Sequence, residues 1–264
     1  MMAWRRVACE MLAVGGAYCV ATFRLRTRPR WGASFMSGSL LALVTHPLVG
    51  SLRLSPAGLG VALWLLFFVV GFLLSMIEAV VFTEGPSSIG MRDVGGAAVI
   101  SAVAAVVAAL VMKPASPGSV VENLRRWVEA FGWTECALRV VLMAVAFMVA
   151  YNVIGSLTWP FVRPYYTDPK HGLRLRIPRA GVIIPLQVGR GLIAAIALAP
   201  LIASSTTQGM TWWGQFSLAL AVTAGVVPLL NAVAWPIYLR VAQGVEIVVF
   251  SVVHAFALWR ILAA

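Results

Sequence analysis

The sequence predicts an all-α protein, a polytopic transmembrane helix bundle of about eight spans, or seven if the last two are one. Three observations predict it. Of 264 residues, 61% are hydrophobic and only 11% are charged, against roughly 25% charged in a soluble domain. The mean hydropathy is +0.92. The apolar residues gather in runs of about 20, the length that crosses a hydrocarbon core of ~30 Å. Together these values exclude a soluble globule, a disordered chain and a secreted disulfide scaffold. Residues 1–264 read as a single membrane domain.

The first span is read at 7–23. Arg5 and Arg6 before an apolar stretch look like a signal peptide, but Glu10 interrupts the stretch and no small-x-small cleavage site follows. An uncleaved helix is therefore expected. The second span covers 33–52, and the third, 57–83, is long enough to tilt. Ser55-Pro56 gives the third a cap residue followed by proline at the first helical position, and Gly85-Pro86 stops it. The fourth, 94–112, is almost all Ala and Val. Residues 113–135 read as an interfacial loop holding a short amphipathic helix. In it Val121, Leu124, Val128 and Phe131 share a face opposite Arg125, Arg126 and Glu129. The fifth span is read at 136–158. The segment 159–180 is expected to be a basic aromatic loop, rich in Pro, Trp and Tyr and then in Arg. Spans at 181–203, 212–232 and 234–262 complete the bundle, the last two divided near Trp235-Pro236.

Small residues recur at helical spacing in several spans: Gly71, Ser75 and Ala79; Ser101, Ala105 and Ala109; Gly191 and Ala195. Such stripes let helices approach closely, which places these spans near the middle of the bundle.

The net charge is +11, and every basic residue except Lys113 and Lys170 is arginine. Because the basic residues lie mainly between apolar runs, they read as loop anchors rather than as a nucleic-acid surface. The loops at 24–30 and 159–180 carry the excess, which places them in the cytoplasm and both termini outside. Three cysteines, Cys9, Cys19 and Cys136, are an odd number with no CxxC spacing, so neither a disulfide framework nor a zinc site is expected.

Ionisable side chains inside a span are costly and need a partner or a task. Alternate spans run in opposite directions, so depth decides which of them can meet. Glu78 lies near the end of the third span and Asn152 in the second half of the fifth. Gln187 and Arg190 lie in the first half of the sixth, and Gln243 and Glu246 in the first half of the last. These six can share one polar layer beneath the 159–180 loop, with Arg139, His46 and His254 toward the opposite side. Gln187 and Arg190, three apart, share a helix face. In the last span Arg240, Gln243, Ser251 and His254 fall in one stripe, with Glu246 at its edge. Arg190 is the strong cation at mid-depth, and Glu78 and Glu246 are the acids it could pair with. Two acids about one arginine could carry a proton or bind a cation, or the group could simply lock helices together. Tyr165, Tyr166, Lys170, Arg174, Arg176 and Arg179 could clamp an anionic headgroup by charge-assisted hydrogen bonds, or serve only as a membrane anchor.

No HExxH, GxSxG, P-loop or GxGxxG motif occurs, and no catalytic residue is assigned. Only the pair His46 and His254 would speak for haem, so no cofactor and no metal is expected.

The stretches Leu74–Phe82, Val182–Gly191 and Leu239–Glu246 resemble spans of a family of uncharacterised bacterial multi-pass inner-membrane proteins. The resemblance covers three of the spans. It implies a multi-pass protein of the cell inner (plasma) membrane and adds weight to Glu78, Arg190 and Glu246. Gln243 stands where the family pattern would have histidine, so the resemblance implies no metal. The leading expectation is a protein that binds or transports a small anionic solute or lipid headgroup through the half-buried Arg/Glu layer. The alternatives are a non-catalytic subunit of a larger membrane complex and a membrane-embedded enzyme acting on a lipid-linked substrate. The expected partners are the lipid bilayer, anionic headgroups and other membrane subunits, not nucleic acid.

Overall fold

The computed structural model describes residues 2–25, 31–83, 90–168, 170, 175–231 and 235–263. Among them are nine helices and no strands, and eight of the helices are long and apolar enough to cross a membrane. The protein is thus an all-α, multi-pass membrane bundle. In chain order the helices are α1 Met2–Leu25, α2 Trp31–Val49, α3 Pro56–Phe82, α4 Met91–Val111, α5 Val120–Phe131, α6 Trp133–Thr167, α7 Ala180–Ala203, α8 Gly209–Asn231 and α9 Ile237–Ala263.

Local chemistry sets several of the ends. The Ser55 hydroxyl accepts from Gly58 N at 3.2 Å and Pro56 opens α3, as the Ser-Pro pair predicts. Gly132, at φ 80°, is the corner between α5 and α6, a backbone conformation that other residues enter only with strain. Pro236 stands at the N-cap of α9, so that helix starts at Ile237 rather than at 234.

The largest departure from the sequence reading is α6. It does not stop at 158 but continues through Pro160 and Pro164 to Thr167, so the first part of the expected basic aromatic loop is helix. Proline in a helix interior forfeits a backbone hydrogen bond, yet membrane helices tolerate it because neighbouring groups satisfy what is freed.

The small-residue stripes mark close contacts. A Cβ on Gly191 of α7 would stand 2.8 Å from Ala144 Cα and 2.9 Å from Ala144 O of α6, so these backbones meet directly. One on Gly71 would stand 2.9 Å from Thr223 Cγ2, where α3 meets α8. Both helices widen there. The Leu74 N–H reaches Val69 O and the Val227 N–H reaches Val222 O, each five residues back. The apolar core runs from Tyr18, Leu41 and Leu63 through Phe67 and Ile100 to Leu198 and Phe216.

At the end bearing the 50–55, 112–119 and 204–208 connections, loops are bonded to one another. Arg53 N donates to Ser204 O (2.8 Å), Ser55 N to Gly118 O (2.6 Å), Ala115 N to Leu52 O (2.9 Å) and Thr206 N to Ser51 O (2.7 Å). Helix α5 seals this end. Its buried Asn123 donates to Arg53 O (2.7 Å) and Ser204 Oγ (2.9 Å), and Trp127 Nε1 donates to Leu262 O (3.1 Å). The face turned to the bundle is therefore set by Asn123 and Trp127. Val121, expected on that face, is 75% exposed. At the other end the described cross-links are fewer. Arg176 N donates to Phe82 O (2.8 Å), and Arg176 Nε to Val81 O (2.6 Å).

Candidate functional site

A cavity of about 560 Å³ lies between α3, α6, α7, α8 and α9 and extends toward the end opposite α5, at Thr83, Leu175 and Ile177. Glu78, Asn152, Arg190, Gln243 and Glu246 all line it. Gln187 does not. It is fully buried behind the wall, where its Oε1 accepts from Arg190 Nη1 at 2.8 Å. The i, i+3 spacing on α7 thus makes one residue the support of the other. The six residues expected to share a layer are brought together in and around this one space.

Their pairing differs from expectation. Arg190 Nη2 binds Glu78 Oε2 at 2.8 Å, and the other Glu78 oxygen accepts from the Tyr151 hydroxyl. The guanidinium also lies 5.5 Å from the Tyr151 ring centroid and 5.7 Å from that of Phe147, within cation–π range. Glu246 is not an ion-pair partner of Arg190. Its Oε2 accepts from Thr158 Oγ1 of α6 at 2.8 Å, and no described residue forms a salt bridge with it. Helix α9 enters behind Gly155, where a Cβ would stand 3.5 Å from Glu246 Oε1. Asn152 donates to Met148 O of its own helix at 2.7 Å. Two buried donors on α7 have no hydrogen-bond partner among the described residues: Arg190 Nε and Gln187 Nε2.

Most of the wall is apolar, contributed by residues such as Phe72, Leu74, Leu220, Ile247 and Phe250. His254, expected toward the far side, lines the inner end of the cavity, its ring 5.1 Å from Phe147 and 5.4 Å from Phe250. It is 3% exposed and its Nε2 has no partner among the described residues. His46, by contrast, bonds Glu10 at 2.5 Å, and Glu10 also holds Arg6 at 3.0 Å, a cluster that ties α1 to α2. The two histidines weighed for haem thus stand in different places, His46 at the α1–α2 contact and His254 at the cavity. Arg139 binds Glu135 at 2.9 Å and Ile261 O at 2.9 Å near the sealed end.

Of the headgroup candidates, Tyr165 and Tyr166 stand on the last turns of α6, and Tyr166 lines the cavity. Lys170, Arg176 and Arg179 are exposed, and Arg174 and His171 lie outside the described residues. Sequence reasoning missed Phe147, Tyr151 and Thr158. Their spacing of four and seven, continued by Val162, marks one face of α6, the signal that could have found them.

No family model, curated protein or solved structure matches the chain.

Proposed function

We propose that this multi-pass membrane protein binds a lipid-like amphiphile, its apolar body along the cavity wall and its polar end at the Arg190–Glu78–Glu246 layer. The observation that carries the reading is the cavity itself. Its 560 Å³ fall in the range of ~300–1,000 Å³ of small-ligand sites, and it joins a mostly apolar wall to a few convergent polar groups. That size suits a single-chain amphiphile. A small, fully hydrated anion fits less well, because Glu78 already neutralises Arg190. Binding is favoured over passage because the loops of the opposite end are joined to one another through Asn123 and backbone bonds. The bacterial inner membrane is part of the same proposal, resting on the family resemblance and on the basic residues gathered at the mouth.

The test is native mass spectrometry of delipidated full-length protein with single-chain lysophosphatidylcholine as probe. A 1:1 adduct is expected, and Ala224→Phe, which puts a ring into the cavity, should weaken it about tenfold or more. An adduct of undiminished strength in that variant, with its fold confirmed by thermal melting, would reject the site.

A further inference from the structure

We propose that the polar end of the bound amphiphile carries a protonated amine, held at the Glu246 carboxylate; this rests on the cavity being a ligand site. The argument is a charge inventory. Arg190 and Glu78 contact each other at 2.8 Å and cancel. Both Glu78 oxygens are used, by Arg190 and by Tyr151. Glu246 is different. A single hydroxyl, Thr158 Oγ1, donates to one oxygen, and its Oε1 has no hydrogen-bond donor among the described residues. The other ionisable groups on the cavity wall are Tyr151, Tyr166 and His254, and none forms an ion pair with it. Arg240, six residues earlier on the same helix, neither lines the cavity nor pairs with Glu246.

In a largely apolar cavity a carboxyl either takes up a proton or stays ionised against a counter-charge, since desolvation of the charge is repaid only by pairing. An ammonium supplies both the charge and up to three donors for the vacant oxygen lone pairs. The remaining wall supports the same ligand. Phe250 and Tyr151, whose rings lie 6.5 Å apart edge to face, also line the cavity and are of the kind that attracts a cation, and the hydrocarbon tail has the apolar wall. A carboxylate ligand would meet the opposite: one acid already paired and one unpaired, with both terminal nitrogens of Arg190 bonded and its unpartnered Nε buried away from the cavity space. The same ammonium chemistry is offered by a free long-chain amine and by an aminoethyl lipid headgroup.

Equilibrium binding to full-length protein in phosphatidylcholine nanodiscs, corrected for partition into empty discs, tests this. The probes are decylamine, decanol and decanoate, three ten-carbon chains that differ only at the head. Decylamine is expected to bind at least about tenfold tighter than decanoate. In Glu246→Gln that preference should collapse to about threefold or less while decanol binding holds. Glu246→Asp, which keeps the charge, should keep the preference and guards against a merely misfolded variant. A wild-type preference for decanoate, or an amine preference that persists in Glu246→Gln, overturns the proposal. Equal binding of all three overturns the amine and leaves the cavity reading standing; binding of none removes both. A second pair, lysophosphatidylethanolamine against lysophosphatidylglycerol, identifies the source. Selectivity there assigns the amine to a lipid headgroup, and selectivity confined to decylamine assigns it to a free amine.

Discussion

At the scale of single residues, Arg190 is the side chain on which most else depends. Its side chain is 8% exposed, and its charge is met by one carboxylate, one amide oxygen and two aromatic faces. Removing one partner of a buried pair strands the other, at a cost of ~3–5 kcal/mol when both are fully buried. The Glu78 side chain is 29% exposed, so water recovers part of that cost, and Glu78→Gln is expected to destabilise the fold by about 2 kcal/mol. The double variant Glu78→Gln/Arg190→Gln should lose less than the sum of the two single changes. Thermal melting of all four proteins in one detergent checks this, and strict additivity would mean that the pair contributes no coupling. Arg190→Lys is not conservative here, because the ammonium cannot span Gln187 and Glu78 as the planar fork does.

At the scale of the helices, the α6–α7 contact gives a controlled comparison on one element. Gly191→Ala places a methyl against Ala144 backbone and is expected to cost about 1–3 kcal/mol by forcing the helices apart. Gly189→Ala, two residues away with nothing within 4 Å, should be neutral or stabilising by up to about 1 kcal/mol. A lower melting temperature for the 191 variant only is the expected result, and equal shifts would remove the close contact as an explanation. The same pair of helices shows what the sequence made legible. Apolar run length located all eight crossings, and every end but that of α6 to within about five residues, because burying twenty consecutive apolar side chains leaves little other choice. Gln187 and Arg190 were legible as a unit because helical spacing is fixed. The length of α6 was not, since Pro160 and Pro164 read as breakers by rules drawn from water-exposed chains. Neither was the role of Tyr151 or Thr158. Such residues are tolerated on membrane helices without a task, so only coordinates reveal that they hold Glu78 and Glu246.

For the molecule as a whole, the joined loops at the end sealed by α5 matter most. Asn123 is 6% exposed and joins two loops through one amide, so Asn123→Ala is expected to cost about 2 kcal/mol. It should also speed amide exchange at Arg53, Ser55 and Thr206. Hydrogen exchange read by mass spectrometry checks both the protection of these amides in the wild type and its loss in the variant. The charge distribution makes a separate statement about sidedness. With the exposed Cys9 replaced by Ser, Lys170→Cys should react with an impermeant maleimide only after the cells are opened. Labelling of intact cells would invert the orientation.

The over-long sixth helix has a consequence for how a molecule arrives. Its 35 residues make a rod of about 52 Å in a slab of ~30 Å, and even a lean of ~40° leaves several ångströms outside the oil. Trp159 and Tyr166, which border the opening, stand on the last turns of that rod. On the proposed reading, an opening carried on those turns would stand near the boundary where an amphiphile floats, head in water and tail in oil, and entry would be a sideways slide along that boundary.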